Sequence, residues 1–239
     1  MSIHIAVAAA SPTISAIVPA LDEARRIGGT IAALLAAGVD EVIVVDGGSQ
    51  DDTAGAARAA GARVLHAPRG RAAQQNAGAA AARGAVLWFV HADTRVPPTA
   101  GAAVLRALAV PGTVGGAFRT RHVHDGPTPA PWPARFLALA DLRSRLGRPA
   151  YGDQAPFVRR ADFEALGGFP AQPLLEDVEL SRRLRRRGAM PTLPLQVTVS
   201  GRRFVARPVA ATVLAHVIPL LAAAGVPPRL LARLWTAVR

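Results

Sequence analysis

Short apolar runs alternate along the first half of the chain with longer stretches whose apolar positions recur every third or fourth residue. Residues 14–18 form a β-rich run closed by Pro19. Glu41–Asp46 holds an unbroken Val-Ile-Val-Val, the pattern of a strand covered on both faces in a parallel sheet. Strands are also predicted over Arg63–His66 and 86–91. Between them, 26–37 places Ile27, Ile31, Leu34 and Leu35 at helical spacing and ends at Gly38. Asp51 and Asp52 open a helix to Ala60, where acids suit the positive helix end. Further helices are predicted over 71–83 and from Pro97 and Pro98 to Ala109. This alternation predicts an α/β fold with a doubly wound, mostly parallel sheet, whose ligands collect at the carboxyl ends of the strands.

The pattern loosens beyond residue 110. A strand is predicted over 114–120, a Pro- and Gly-rich loop over 122–132, a helix over 136–146 and mixed structure over 152–160. A helix over 176–187 and a strand over 193–200 follow, then two helices broken at Gly225-Val226-Pro227-Pro228. Residues 209–226 carry no charge and reach the lower length limit of a membrane span. His216, Pro219 and the abundant alanine point instead to a buried or membrane-surface helical hairpin. Such helices could cover the domain's own core or pair two subunits in a homo-oligomer.

Composition narrows the choices. A chain of 239 residues, 51% hydrophobic and 18% charged, can bury a sizeable core. The absence of cysteine excludes disulfides, catalytic thiols and cysteine-ligated metal, and fits a reducing compartment. Residues 1–10 have no basic leader region, so a cytoplasmic protein is expected. The net charge is +12 and every basic residue is arginine. Residues 1–120 hold 10 arginines against 8 acids, whereas 121–239 hold 18 against 8. The surplus is therefore local, and arginine's paired donors suit phosphate or carboxylate ligands. A nucleic-acid partner is not expected, because aromatics are 5%, no binding motif occurs and the first half is nearly neutral.

Candidate chemistry sits at strand ends. Pro19-Ala20-Leu21-Asp22-Glu23 follows the first strand, and Asp46-Gly47-Gly48-Ser49 follows the second. Taken alone, each favours an ordinary turn and helix cap over a place where backbone N–H groups and a carboxylate meet a nucleotide. His91-Ala92-Asp93 follows the fourth strand, either as a donor pair for Mg²⁺ or Mn²⁺ or as a turn cap with a core histidine. Glu176 and Asp177 open a helix and are explained as well by capping as by catalysis. Arg182, Arg183, Arg185, Arg186 and Arg187 crowd that helix, and Tyr151-Gly152-Asp153-Gln154 forms a compact polar cluster that also reads as a turn.

Taken in order, these segments resemble family-2 glycosyltransferases of the GT-A fold. The resemblance covers about residues 13–188 and rests on 14–23, VIVVDGGSQDDT, Arg71 to Gly78, the His91–Asp93 strand end, and Gly167-Gly168-Phe169 through Glu176-Asp177. The wording VDGGS, RGRAAQQNAGA, FVHADT, YGDQAPFVRR and PLLEDVELSRRLRRRG is similar to the radical-SAM/selenodomain-associated branch. A characterised activity near that branch is selenosugar synthase of selenoneine biosynthesis, which joins selenophosphate to the sugar of a UDP-sugar.

The resemblance implies a donor half over 1–110, an acceptor half over 111–205 and a helical hairpin over 206–239. Pro19, Ala20, Glu23, Asp46 and Gly48 would contact uridine, and Arg71, Gln75 and Ala92 would lie at the base or diphosphate. Asp93 would be the last member of the family's Asp-X-Asp metal motif, whose first Asp is His91 here. Asp177 would be the general base of an inverting transfer, with Glu176 and Asp153 beside it. Tyr151, Gln154, Arg119, Arg121, Arg159, Arg182 and Arg183 would meet the acceptor. The expected partners are UDP-GlcNAc or UDP-Glc and selenophosphate. The alternative is a polyprenyl-phosphate or other alcohol acceptor at a membrane surface, with Arg202, Arg203, Arg207, Arg229 and Arg233 flanking the apolar hairpin.

Overall fold

A computed structural model describes residues 12–124, 137–145 and 149–236. Much of the loop expected over 122–132 lies outside the described residues, as do 1–11. The strands are β1 (Ile14–Ala20), β2 (Glu41–Asp46), β3 (Arg63–His66), β4 (Val86–Phe89), β5 (Thr94–Arg95), β6 (Gly115–Val123), β7 (Phe157–Arg159) and β8 (Thr192–Ser200). The helices are α1 (Ala24–Ala36), α2 (Thr53–Ala59), α3 (Arg71–Ala81), α4 (Ala100–Ala109), α5 (Leu137–Arg145), α6 (Arg160–Ala165), α7 (Glu176–Arg185), α8 (Arg202–Ala206), α9 (Pro208–Ala223) and α10 (Pro228–Thr236).

The sheet runs β3-β2-β1-β4-β7-β6-β8-β5. The four strands at one side pair parallel, as expected for strand–helix alternation. Strand β7 is antiparallel to both β4 and β6, and β6 pairs parallel with β8. Two reversals restore the original direction. Strands β6 and β8 therefore end at the same sheet edge as β1 and β4, and that edge receives the chemistry.

Burial on both faces explains the continuous apolar runs. Alternate residues Ile14, Ala16 and Val18 face Ile27, Ile31 and Leu34 of α1 and Val104 of α4. Ile17, Ile43, Val45, Leu87 and Phe89 face the other way, toward α3, Phe163 of α6 and Leu180 and Leu184 of α7. Trp88 is fully buried and its indole N–H donates to the Ala155 carbonyl at 3.0 Å. This core holds a rigid platform beneath the strand ends.

Several predicted boundaries move for identifiable reasons. Pro19 does not end β1. The strand continues to Ala20 opposite Asp46, while pairing with β4 stops at Ile17–Phe89. Ala20 accepts from Gly47 on the β2 side, so the proline nitrogen faces past the end of β4 and costs no ladder bond. Strand β6 runs three residues beyond the expected Thr120 because β8 pairs with it to Val123. The short elements β5, α6 and α8 carry too few residues to show a period.

The C-terminal helices cover the domain itself on one side. Ala211 and Ala215 of α9 pack with Leu137 and Phe204, and Ile218 packs with Leu231 of α10 and Leu174. Among the described residues no helix is long and apolar enough to cross a membrane.

Candidate active site

The carboxyl-end edge of the sheet opens into a cleft of about 710 Å³, within the ordinary range for a small-molecule site. Its wall on one side is the loop after β1 and the start of α3: Pro19, Ala20, Glu23, Arg69, Arg71 and Gln74. Opposite stand His91, Ala92 and Asp93, followed by Tyr151, Gly152, Asp153 and Asp177. His122 at the end of β6, Arg202 and Arg207 after β8, and Ile218 of α9 complete the lining.

Hydrogen bonds between loops fix the first wall. Asp22 N–H donates to Ser49 Oγ at 2.9 Å, and Gln50 N–H returns to Asp22 Oδ1 at 2.7 Å. Glu23 N–H donates to Thr53 Oγ1 at 2.8 Å. Gln74 Nε2 donates to the Ala20 and Val45 carbonyls, tying α3 to the ends of β1 and β2. Asp46 accepts from Gly48 N–H, Ser49 N–H and Ser49 Oγ. Gly48 has φ +89°, which an L side chain rarely adopts.

The second wall is a cluster of charges. Arg71 Nε lies 2.9 Å from Glu176 Oε1, and Glu176 is 2% exposed. Burial alone would lower the Arg71 pKa, but the carboxylates of Glu176, Asp177 and Asp153 raise it above the ordinary arginine value. Asp177 lies in the first turn of α7 and accepts from Gly152 N–H and, at 2.7 Å, from Val178 N–H. His122 stands with Nδ1 2.7 Å from Asp141 and Nε2 3.8 Å from Asp153.

The surroundings of His91 favour its neutral form. Burial first, and then Arg71, push its pKa below the ordinary value, against the pull of Asp93, Asp153 and Asp177. A Cβ on Gly152 would stand 2.8 Å from His91 Nε2 and 3.1 Å from Asp177 Oδ2. Only glycine lets the turn, the imidazole and the carboxylate meet.

Asp93 is positioned from both sides of the chain. Thr30 Oγ1 donates to the Ala92 carbonyl at 2.8 Å, and Ser200 N–H reaches the Asp93 carbonyl at 3.3 Å. The pairing of Thr94 with Val199 thus delivers the chain after Ser200 to Asp93. Arg202 follows: its Nη2 lies 3.5 Å from Asp93 Oδ2, and its two terminal nitrogens bond both oxygens of Glu23.

Among the expected site residues, Pro19, Ala20, Glu23, Arg71, His91, Ala92, Asp93, Tyr151, Asp153 and Asp177 line the cleft, and Glu176 touches it through Arg71. Asp46 and Gly48 lie in the adjoining turn, outside the lining. Gln75 is 2% exposed behind the wall that Gln74 forms. The acceptor arginines do not arrive. Arg119 and Arg121 occupy outward positions of β6, and Arg183 pairs with Glu179 on α7. Arg159 bonds the Thr113 and Leu108 carbonyls, and Arg182 is not in the lining. Gln154 spans Tyr151 N–H and the Phe118 carbonyl, so it braces the turn rather than the cleft.

Sequence reasoning missed Arg69, Gln74, His122 and Phe204 in the cleft and did not place Arg202 and Arg207 there. A usable signal existed for three of these. His122 ends a strand, and Arg202 and Arg207 follow the end of another, at the edge where carboxyl ends gather.

The donor set does not make a metal centre on its own. Among the described residues no group of three or more His, Asp and Glu can hold a metal ion. His91 Nε2 is turned to Gly152, and Asp93 meets Arg202.

Comparison with known proteins adds a family and relatives. The family model described as glycosyl transferase family 2 matches residues 15–167, well over half of the chain. A glucosyl-3-phosphoglycerate synthase of Mycolicibacterium paratuberculosis is 52% identical over 61 residues. That match spans 24% of this chain and only 18% of the relative. The crystal structure of glucosyl-3-phosphoglycerate synthase from Mycobacterium tuberculosis with Mn²⁺, UDP and glucosyl-3-phosphoglycerate is 25% identical, with TM-score 0.59 over 86% of this chain and 80% of that one. A mannosyltransferase from Pyrobaculum calidifontis with GDP-Man and Mn²⁺ is 21% identical, with TM-score 0.62 over 88% and 64% of the two chains, and shows the fold alone.

Proposed function

The chain belongs to glycosyl transferase family 2, and on that premise we propose that it transfers a sugar from a UDP-sugar to a small phosphate-bearing anion, with selenophosphate as the specific acceptor. The observation that carries this reading is the single cleft in which the β1 loop, Asp93, Asp177 and four arginines (Arg69, Arg71, Arg202 and Arg207) converge. Division of labour follows the sheet: 1–110 supplies the donor wall, 111–205 the acceptor wall, and 206–239 the helical cover.

Charge development drives the step. The anomeric C–O bond to the diphosphate breaks as the acceptor attacks from the opposite face, and UDP leaves with the bonding electrons. Arginines lining the cleft stabilise that leaving charge. Arg71 is held ready by Glu176, which keeps its guanidinium aligned. For a hydroxyl acceptor, Asp177 takes the proton. The selenium of selenophosphate is already anionic, so a C–Se bond forms with no proton to remove, and Asp177 then orients the acceptor. The acceptor's charge gives the cleft arginines their second task. The motif wording supports selenium, and the named activity of the mycobacterial relatives supports a phosphate-bearing acceptor.

A membrane-surface reading has its own observation. Val209, Val213, Val217 and Leu220 form an exposed stripe on α9, and residues 201–239 hold six arginines and no acid, which suits anionic lipid. One screen separates the readings: UDP release from UDP-Glc or UDP-GlcNAc with selenophosphate, 3-phosphoglycerate, or polyprenyl phosphate in vesicles. Selenophosphate is expected to accelerate release and yield a selenium-bearing sugar. Release that ignores selenophosphate and responds to either other acceptor overturns the selenosugar assignment.

A further inference from the structure

We propose that Arg202 is the resident cation of this cleft, standing beside Asp93 where a divalent metal would otherwise sit, so that diphosphate binding needs no metal. The inference rests on the UDP-sugar reading and deepens it.

Three observations converge. Among the described residues too few donors gather for a metal centre, and the Asp-X-Asp position begins with His91, packed against Gly152. Asp93, the carboxylate a metal would use, already has a guanidinium 3.5 Å away, and that same group bonds both oxygens of Glu23. The fold itself puts that guanidinium in place: β5 pairs with β8, Ser200 N–H reaches Asp93, and Arg202 opens α8 two residues later. Glu23 and Arg202 are 179 residues apart, so the fold builds this contact.

Electrostatics gives the arrangement its use. Glu23 and Asp93 would repel an incoming diphosphate if left alone. A guanidinium between them cancels much of that field, stays charged at any working pH and binds oxygens through a planar fork. A divalent ion entering beside Asp93 would have to displace this like-charged group.

The test is calorimetric titration of the full chain with UDP after exhaustive EDTA treatment, repeated in excess MnCl₂. Affinities within about twofold of each other are expected. Arg202→Ala in EDTA is expected to bind UDP at least about tenfold more weakly, the loss of a charge-assisted hydrogen bond. MnCl₂ should restore part of it through the freed Asp93, a gain that a purely structural arginine would not show. Wild-type affinity that rises tenfold or more with MnCl₂ overturns the proposal and leaves the UDP-sugar reading standing, and it needs no variant to fold. Arg202→Ala binding UDP as tightly as wild type overturns it too. Absence of heat under both conditions overturns the UDP-sugar reading and this one with it.

Discussion

The two walls of the cleft treat carboxylates differently. On the wall made by the loops after β1 and β2, Asp22, Asp46 and Asp51 accept hydrogen bonds from backbone N–H groups of neighbouring turns. On the wall made by β4, the turn at Gly152, α7 and the chain after β8, Glu176 and Asp93 meet arginine side chains from distant segments, and Arg202 of that wall reaches across to Glu23 of the first. A backbone partner cannot leave without unfolding the loop, whereas an arginine can rotate to a new anion. The first wall is therefore a template and the second a set of charges that can be re-paired when a ligand enters. Asp177 belongs to both kinds: its position is set by Gly152 N–H and its surroundings are charged.

The largest expected effect comes from Asp177→Asn. The amide keeps an acceptor for Gly152 N–H, so the wall should hold its shape. Activity toward a hydroxyl acceptor should fall by about 10²–10⁴ with UDP affinity nearly unchanged. Toward selenophosphate the loss should be far smaller, because no proton is removed. Steady-state rates with both acceptors, beside a UDP titration, check this; equal losses with the two acceptors would reduce Asp177 to a structural cap.

The opposite wall should respond in stability rather than rate. Thr53 is fully buried, accepts from Glu23 N–H and donates to Asp51. Thr53→Val keeps the shape and orphans that N–H, which should lower unfolding free energy by about 1–2 kcal/mol in urea. The rate per folded molecule should change little. A large rate loss at unchanged stability would show the template wall taking part in catalysis.

Legibility in the sequence follows the same division. Periodicity is a local signal, so β2 and β3 appear at the predicted residues, and α1, α2 and α3 within a few residues of them. The loops after β1 and β2 could be placed because a parallel strand end announces them. The charged wall depends on strand order. Nothing local reveals that β7 lies antiparallel between β4 and β6 and so turns β6 and β8 back to the productive edge. The arginine-rich second half supplies Arg202 and Arg207 to the cleft while Arg69 and Arg71 come from the first half, and alternation along β6 turns Arg119 and Arg121 outward, with Arg183 taken by Glu179. Arg202 was visible only as a charge flanking an apolar hairpin.

The smallest effect should separate the walls by pH. His91 faces Arg71 from α3, Asp93 from its own segment, Asp153 from the Gly152 turn and Asp177 from α7, and its pKa lies below the ordinary 6.5. The unfolded chain takes up this proton near pH 6.5, the folded chain only at lower pH. Between those values unfolding binds a proton, so stability falls as pH drops; above 6.5 both states are neutral and the contribution is fully present. The slope from this one group cannot exceed about 1.4 kcal/mol per pH unit. His91→Asn, which cannot titrate, should flatten that part of the curve in urea unfolding between pH 7 and 5, whereas Thr53→Val should lower the curve without changing its slope. An unchanged slope in His91→Asn would mean that another group carries the acid sensitivity, and that the charged wall keeps its pairing when the imidazole is protonated.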